Sequence, residues 1–241
     1  MSELSSRERI ILAIDTSQPD EAERLAKIAK AAGARFVKLG LELSSATSWK
    51  YCSDLAAENG LDWVADAKID DIPNTVRNTV GNIRKLDHPP FGITIHTTAG
   101  IEAMRAAQEE ANKNDKIIKM LGVTVLTSVK DEEAREIYHV SASQEVLELA
   151  FRAVDAGIEG IVCSPMEVGM VKNNPKTRNL FAMIPGSRMT GAETHDQNRP
   201  KTPAETIKAG ADLLVIGRPI TDDKQPDRAF EAHVVEIESE L

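Results

Sequence analysis

Eight short apolar runs alternate with amphipathic stretches along this chain, and that alternation constrains the fold more than any other feature. The runs lie at 10–14, 36–39, 63–67, 92–95, 121–126, 160–163, 180–184 and 213–216. Between them fall stretches of helical periodicity at 19–32, 44–58, 72–85, 101–112, 143–156, a short piece near 166–172, and 203–208. A last helix at 227–240 closes the chain. Strands that alternate with helices pair in parallel, because each helical crossover carries the chain back to the same end of the sheet. Eight such units predict an α/β fold, a (β/α)₈ TIM barrel, with residues 1–241 forming one domain. No linker, low-complexity tract or charge block divides the chain. Glycines mark several helix-to-strand returns, at Gly33, Gly60, Gly157 and Gly210.

Composition narrows the function. Hydrophobic residues make up 41% of the chain, enough for a substantial core, and the formal net charge is −9. An acidic chain is a poor general binder of nucleic acid or of anionic membranes, although a local basic pocket for a small anion remains open. No apolar run is long enough to span a bilayer. The start, Met-Ser-Glu-Leu-Ser-Ser-Arg-Glu-Arg, lacks the apolar stretch of a secretory signal, so a cytoplasmic location is expected. Cys52 and Cys163 are too few and too distant in sequence for a disulfide scaffold or a zinc site, and read as reduced structural thiols.

The chemistry is concentrated in Asp66-Ala-Lys68-Ile-Asp70-Asp71-Ile72-Pro-Asn-Thr75. Alternation along the third strand puts Val64, Asp66 and Lys68 on one face, with Trp63, Ala65 and Ala67 on the other. Charges aimed inward are costly to desolvate, so they must pair or work. From Ile72 the pattern turns helical, and Asp71 and Thr75 share a face near the helix start. In a barrel, function gathers where strands hand over to the following loops. Asp15 ends the first strand, Lys38 lies inward on the second, and His96 ends the fourth. Thr127 and Ser128 follow the fifth, Arg188 follows the seventh, and Gly217-Arg218 follows the eighth.

Two subsites follow. Gly217 and Arg218, with Arg188 and the amide of Gln197 from the long irregular stretch 186–201, suit a phosphate. Arg218 alone reads equally as a surface ion pair; its place after a final barrel strand favours the anion. Lys38, Asp66, Lys68 and Asp71 form an array of alternating sign that keeps Lys68 protonated and in place. An Asp-x-Lys alone reads as a structural ion pair, and the Asp71-Ile72 and Thr75 continuation favours function.

These residues resemble the orotidine 5′-phosphate decarboxylase family over nearly the whole chain. Asp66-x-Lys68-x-x-Asp71-Ile72-x-x-Thr75 matches its signature. Leu12-Ala-Ile-Asp15 matches its first strand, Val37-Lys-Leu-Gly-Leu-Glu42 its second, and Val125-Leu-Thr-Ser128 its fifth. Pro185-Gly-x-Arg188, Asp196-Gln197-x-Arg199, Thr202-Pro203 and Gly217-Arg-Pro-Ile220 match its phosphate-binding segments. Ser187 stands where the family usually has isoleucine, and Ser44 where it usually has an aromatic residue.

The resemblance implies decarboxylation of orotidine 5′-phosphate to UMP and CO₂, a step of pyrimidine biosynthesis, without cofactor or metal. Lys68 would stabilise the C6 carbanion and protonate it, with Asp66, Asp71 and Lys38 completing the catalytic set. Substrate contacts would come from Asp15, Lys38, Asp71, Ile72, Thr75, Thr127 or Ser128, Arg188, Gln197, Gly217 and Arg218. Asp71, Ile72 and Thr75 would serve the neighbouring subunit, which implies a homodimer with shared active sites. Two alternatives stay open. One is a Mg²⁺-dependent sugar-phosphate decarboxylase or aldolase on the same barrel; the other is a nucleotide-binding barrel without catalysis.

Overall fold

The structure is a computed structural model that describes residues 4–113, 118–189 and 201–239. Eight parallel strands close into a barrel in sequence order. They are β1 (Ile10–Ile14), β2 (Phe36–Gly40), β3 (Asp62–Ile69), β4 (Gly92–His96), β5 (Lys119–Val123), β6 (Gly160–Val162), β7 (Phe181–Pro185) and β8 (Leu213–Ile216). The last strand pairs with the first through Ile10↔Leu214, Ile11↔Val215 and Leu12↔Ile216, so the described sheet has no free edge.

The strand residues are apolar on both faces because both faces are covered. Ile11, Ala13, Phe36, Val64, Leu121, Phe181, Met183, Leu213 and Val215 fill the barrel interior. Their sequence neighbours Ile10, Leu12, Trp63, Ala65, Leu214 and Ile216 pack outward against the helices. Phe36, Phe91 and Phe181 pack in series with tilted and edge-on rings at the end where the strands begin, with centroids 4.9 and 5.9 Å apart. That end is therefore plugged, and the polar residues occupy the other.

The surrounding helices are α1 (Pro19–Ala31), α2 (Leu41–Ala46), α3 (Trp49–Asn59), α4 (Pro73–Arg84), α5 (Ile101–Ala111) and α6 (Asp131–Tyr138). They continue with α7 (Ala142–Asp155), α8 (Val168–Asn173), α9 (Pro203–Lys208), α10 (Arg218–Thr221) and α11 (Pro226–Glu238). Capping boxes start two of them: Ser141 with Gln144 at α7, and Thr202 with Glu205 at α9. Gly33, Gly60, Gly157 and Gly210 all adopt positive φ, as their places at helix-to-strand returns require. Among the described residues, no helix is long and apolar enough to cross a membrane.

Several elements differ from the sequence expectation. The helix expected at 44–58 is two helices, because extended Ser48 breaks the run and its hydroxyl accepts from the Tyr51 amide to cap the second. The strand expected at 121–126 begins at Lys119, set by its pairing with Gly92, and ends at Val123. Val125 and Leu126 are apolar because they line the cleft described below, not because the strand continues. Helix α6 escaped the sequence reading because Ala134 is its one buried residue, which leaves almost no apolar stripe. The third strand runs to Ile69, and α4 starts at Pro73 with Ile72 outside it.

Candidate active site

The charged residues at the strand ends meet in one array. Lys38 on β2 lies 2.6 Å from Asp15, just after β1, and 3.1 Å from Asp66 on β3. Lys68 Nζ lies 2.7 Å from the same Asp66 Oδ2. The other Asp66 oxygen, Oδ1, accepts a hydrogen bond of 3.0 Å from the Thr94 hydroxyl on β4. The sequence grouped Asp71 with these charges. In the chain itself Asp15 takes that place; Asp71 is exposed, and its carboxylate accepts from the Ile72 amide.

Burial opposes the charge on these groups, and pairing overcomes it. For Lys38 the largest influence is desolvation, which disfavours the charged form; Asp66 and Asp15 together outweigh it and raise the pKa. Asp66 shows the mirror image: burial opposes ionisation, but Lys38 and Lys68 hold the carboxyl below its usual range. The Lys68 side chain is 33% exposed against 10% for Lys38, so Lys68 is the ammonium that faces the opening. Its backbone φ is +43°, a left-handed conformation uncommon for a non-glycine residue.

Above the array lies a cleft lined by Lys38, Asp66, Lys68, Val123, Val125, Leu126, Thr127, Val162, Cys163, Met183, Pro185 and Val215. Thr127 belongs to this lining, whereas exposed Ser128 does not. One wall is charged and the rest is largely apolar, a surface that suits a flat ring carrying one anionic substituent. Cys163 is part of that wall, a placement its isolated position in sequence did not signal. Burial pushes its thiol pKa strongly upward, and that of Cys52 up to about 12, so both stay protonated. His96 ends β4, and its imidazole is shifted down from the usual value, first by burial.

Arg188 and Arg218 follow β7 and β8. The Arg188 guanidinium is shifted down from its usual value, by burial first and by the like charge of Arg218 second. Neither has a carboxylate partner among the described residues. Two neighbouring cations without a counter-charge suit an anion. Gly217 precedes Arg218, and a Cβ there would approach Ala13 Cβ to 3.3 Å. Ser187 is buried, and its hydroxyl has no hydrogen-bond partner among the described residues. Gln197, assigned to the same subsite by sequence, lies outside the described residues. Ile72 is 66% exposed, and Asp71 and Thr75 are exposed beside it; none of the three lines the cleft of its own chain. Sequence reasoning missed Thr94, which reads as an ordinary β-branched strand residue until the register brings it opposite Asp66 and Lys68.

At the opposite end of the barrel a more open groove is lined by Lys119, Glu159, Lys172, Lys176, Phe181 and Asp212, among others. Its lysines are already paired, Lys119 with Glu159 at 3.7 Å, Lys172 with Asp212 at 2.9 Å and Lys176 with Asp155 at 2.8 Å. The charge on these three lysines is therefore compensated, unlike that of Arg188 and Arg218 among the described residues.

The chain is similar to known proteins over most of its length. A protein named orotidine 5′-phosphate decarboxylase from Methylobacterium sp. (strain 4-46) is 39% identical over 237 residues, covering 97% of each chain. One of the same name from Synechococcus sp. (strain CC9311) is 38% identical over 233 residues, covering 93% of each. The crystal structure of orotidine 5′-phosphate decarboxylase from Lactobacillus acidophilus superposes with a TM-score of 0.80 at 28% identity, covering 95% of this chain and 99% of that one. Residues 8–233 match the orotidine 5′-phosphate decarboxylase/HUMPS family, and the chain belongs to that family.

Proposed function

We propose that the protein decarboxylates orotidine 5′-phosphate to UMP and CO₂, with Lys68 as the proton donor. The observation that carries this reading is the array Asp15–Lys38–Asp66–Lys68 at the cleft floor. Loss of CO₂ from C6 leaves an electron pair on a ring carbon that has little resonance help. The chemical need is a cation already fixed beside that carbon. Lys68 is the ammonium of the array that faces the cleft, and Asp66 fixes it from below. As the C6–carboxylate bond breaks, its electron pair stays on C6 and takes a proton from Lys68 Nζ, which becomes a neutral amine. Asp66 stays ionised throughout, held so by Lys38.

Both Asp66 oxygens are engaged, one by two ammonium groups and one by the Thr94 hydroxyl. That supports a lysine-centred reaction over one in which Asp66 binds a metal. Asp15 and Lys38 contact the ribose hydroxyls, and Thr127 meets the pyrimidine edge. Arg188, Arg218, the Gly217 backbone and Gln197 hold the phosphate. Phosphate binding is remote from the bond that breaks, so its energy serves to organise the site. Asp71, Ile72 and Thr75 reach the site of a second copy in a homodimer, which gives the exposed Ile72 an apolar partner. The pathway context is UMP synthesis and the compartment is the cytoplasm.

The test is the loss of orotidine 5′-phosphate absorbance with and without a chelator. Chelator-insensitive turnover is expected. Turnover that requires Mg²⁺ favours the sugar-phosphate relatives, and UMP binding without CO₂ release favours a non-catalytic barrel.

A further inference from the structure

The ladder between β3 and β4 has a gap, and one side chain fills it. Val64 pairs with Gly92 and Ala65 with Ile93, but the next pair is Ile69 with Ile95. Three residues on β3, Asp66, Ala67 and Lys68, therefore stand opposite Thr94 alone. A bulge of this kind leaves backbone groups without ladder partners. The Lys68 amide instead donates to Thr94 Oγ1 at 2.9 Å, and the same hydroxyl donates to Asp66 Oδ1 at 3.0 Å. Thr94 is 1% exposed, so water does not compete for either bond. A hydroxyl has one proton, and an ionised carboxylate only accepts. The proton must therefore point to Asp66, which leaves a lone pair for the Lys68 amide. One oxygen thus ties the backbone of the ammonium residue to the carboxylate that holds its tip. It does so where Lys68 adopts φ +43°, a conformation that persists only when its surroundings impose it.

We propose that Thr94 is a positioning residue for the decarboxylation, its hydroxyl clamping the Lys68 backbone and the Asp66 carboxylate in one geometry. This role rests on the proposed activity. The contribution comes from preorganisation: a lysine tip carried on a relaxed bulge no longer meets C6 at the required place.

Thr94→Val removes the hydroxyl and keeps the branched shape. Thr94→Ala removes it without setting a methyl against Asp66, and Thr94→Ser retains it. The kcat for orotidine 5′-phosphate is expected to fall by roughly 10- to 100-fold in the valine and alanine chains and to stay within about threefold in the serine chain. KM and UMP affinity should move less than about threefold in all of them. Equal kcat losses in the serine and valine chains, or a loss carried by KM alone, would overturn the proposal. Amide hydrogen exchange at Lys68 reads the clamp without turnover. Faster exchange in the valine chain, with the serine chain unchanged, is expected. If the wild-type chain fails to decarboxylate but shows this exchange pattern, the functional reading falls and the clamp stands. Unchanged exchange in the valine chain overturns the clamp itself.

Discussion

Replacing Asp66 by asparagine tests the array as a stabilising unit. The amide keeps the shape and removes the negative charge between two ammonium groups. At an effective dielectric near 20, the contacts of 2.7 and 3.1 Å each amount to roughly 5–6 kcal/mol of gross attraction, much of it spent on desolvation. Removing one member of a buried pair costs about 3–5 kcal/mol, because its partner is left uncompensated. Here Lys38 keeps Asp15 at 2.6 Å, and the Lys68 side chain is 33% exposed and can rehydrate. The lower end applies, about 3 kcal/mol. With a urea slope of about 3 kcal/mol/M for a chain this size, the midpoint at pH 7 falls by about 1 M. The loss depends on pH in a defined direction. Asp66 has a depressed folded pKa, since Lys38 and Lys68 together outweigh the burial that opposes its ionisation. Its stabilisation is complete above the unfolded value of about 3.9 and disappears as pH falls through the folded value. Urea titrations of both chains from neutral pH to about pH 3 should show a full gap that narrows below about pH 4. A variant as stable as wild type at pH 7, or a gap that persists unchanged into acid, would refute the reasoning: the array would then return no more than its desolvation costs.

Three other outcomes are expected. Lys68→Ala lowers turnover by roughly 10⁴-fold or more while UMP still binds by calorimetry, since Lys38 still pairs Asp66 and keeps the site folded; substantial residual decarboxylation removes Lys68 as the proton donor. Arg218→Ala raises KM for the phosphorylated substrate by about 30- to 100-fold but barely changes turnover of the analogue lacking phosphate; equal losses on both substrates make Arg218 structural. Mixing Lys68→Ala with Asp71→Ala chains restores activity to about a quarter of wild type per site if Asp71 serves the neighbouring subunit, because half of the randomly exchanged dimers hold one intact site. Mass spectrometry of differently tagged chains verifies exchange, and exchange without recovered activity contradicts shared sites.

Local pattern carried much of the architecture. The run Ile-Ile-Leu-Ala-Ile at 10–14 is a strand whichever sheet receives it, and Thr202-Pro203 with Glu205 announces a helix start by itself. Local pattern failed where burial was slight or where function mimicked structure. Helix α6 has too narrow a buried face to leave a stripe. Val125 and Leu126 extended an apolar run because a cleft wall and a strand call for the same residues. Ser48 caps α3, but the apolar periodicity on either side concealed the break between α2 and α3.

The sequence by itself determined eight strand–helix units, the inward placing of Asp66 and Lys68, and the cations that follow β7 and β8. These rest on periods of about two and 3.6 residues and on short motifs, all of which act between near neighbours. Tertiary structure alone decided the partners. Asp15, and not Asp71, completes the array around Lys38, because barrel closure sets the ends of β1, β2 and β3 side by side while Asp71 lies beyond the strand on the surface. Thr94 acquires its two hydrogen bonds because three β3 residues bulge opposite it. Register between residues 26 to 28 apart in sequence is a property of the closed sheet, since it is set by which strand faces the whole barrel buries and not by the preference of any one segment.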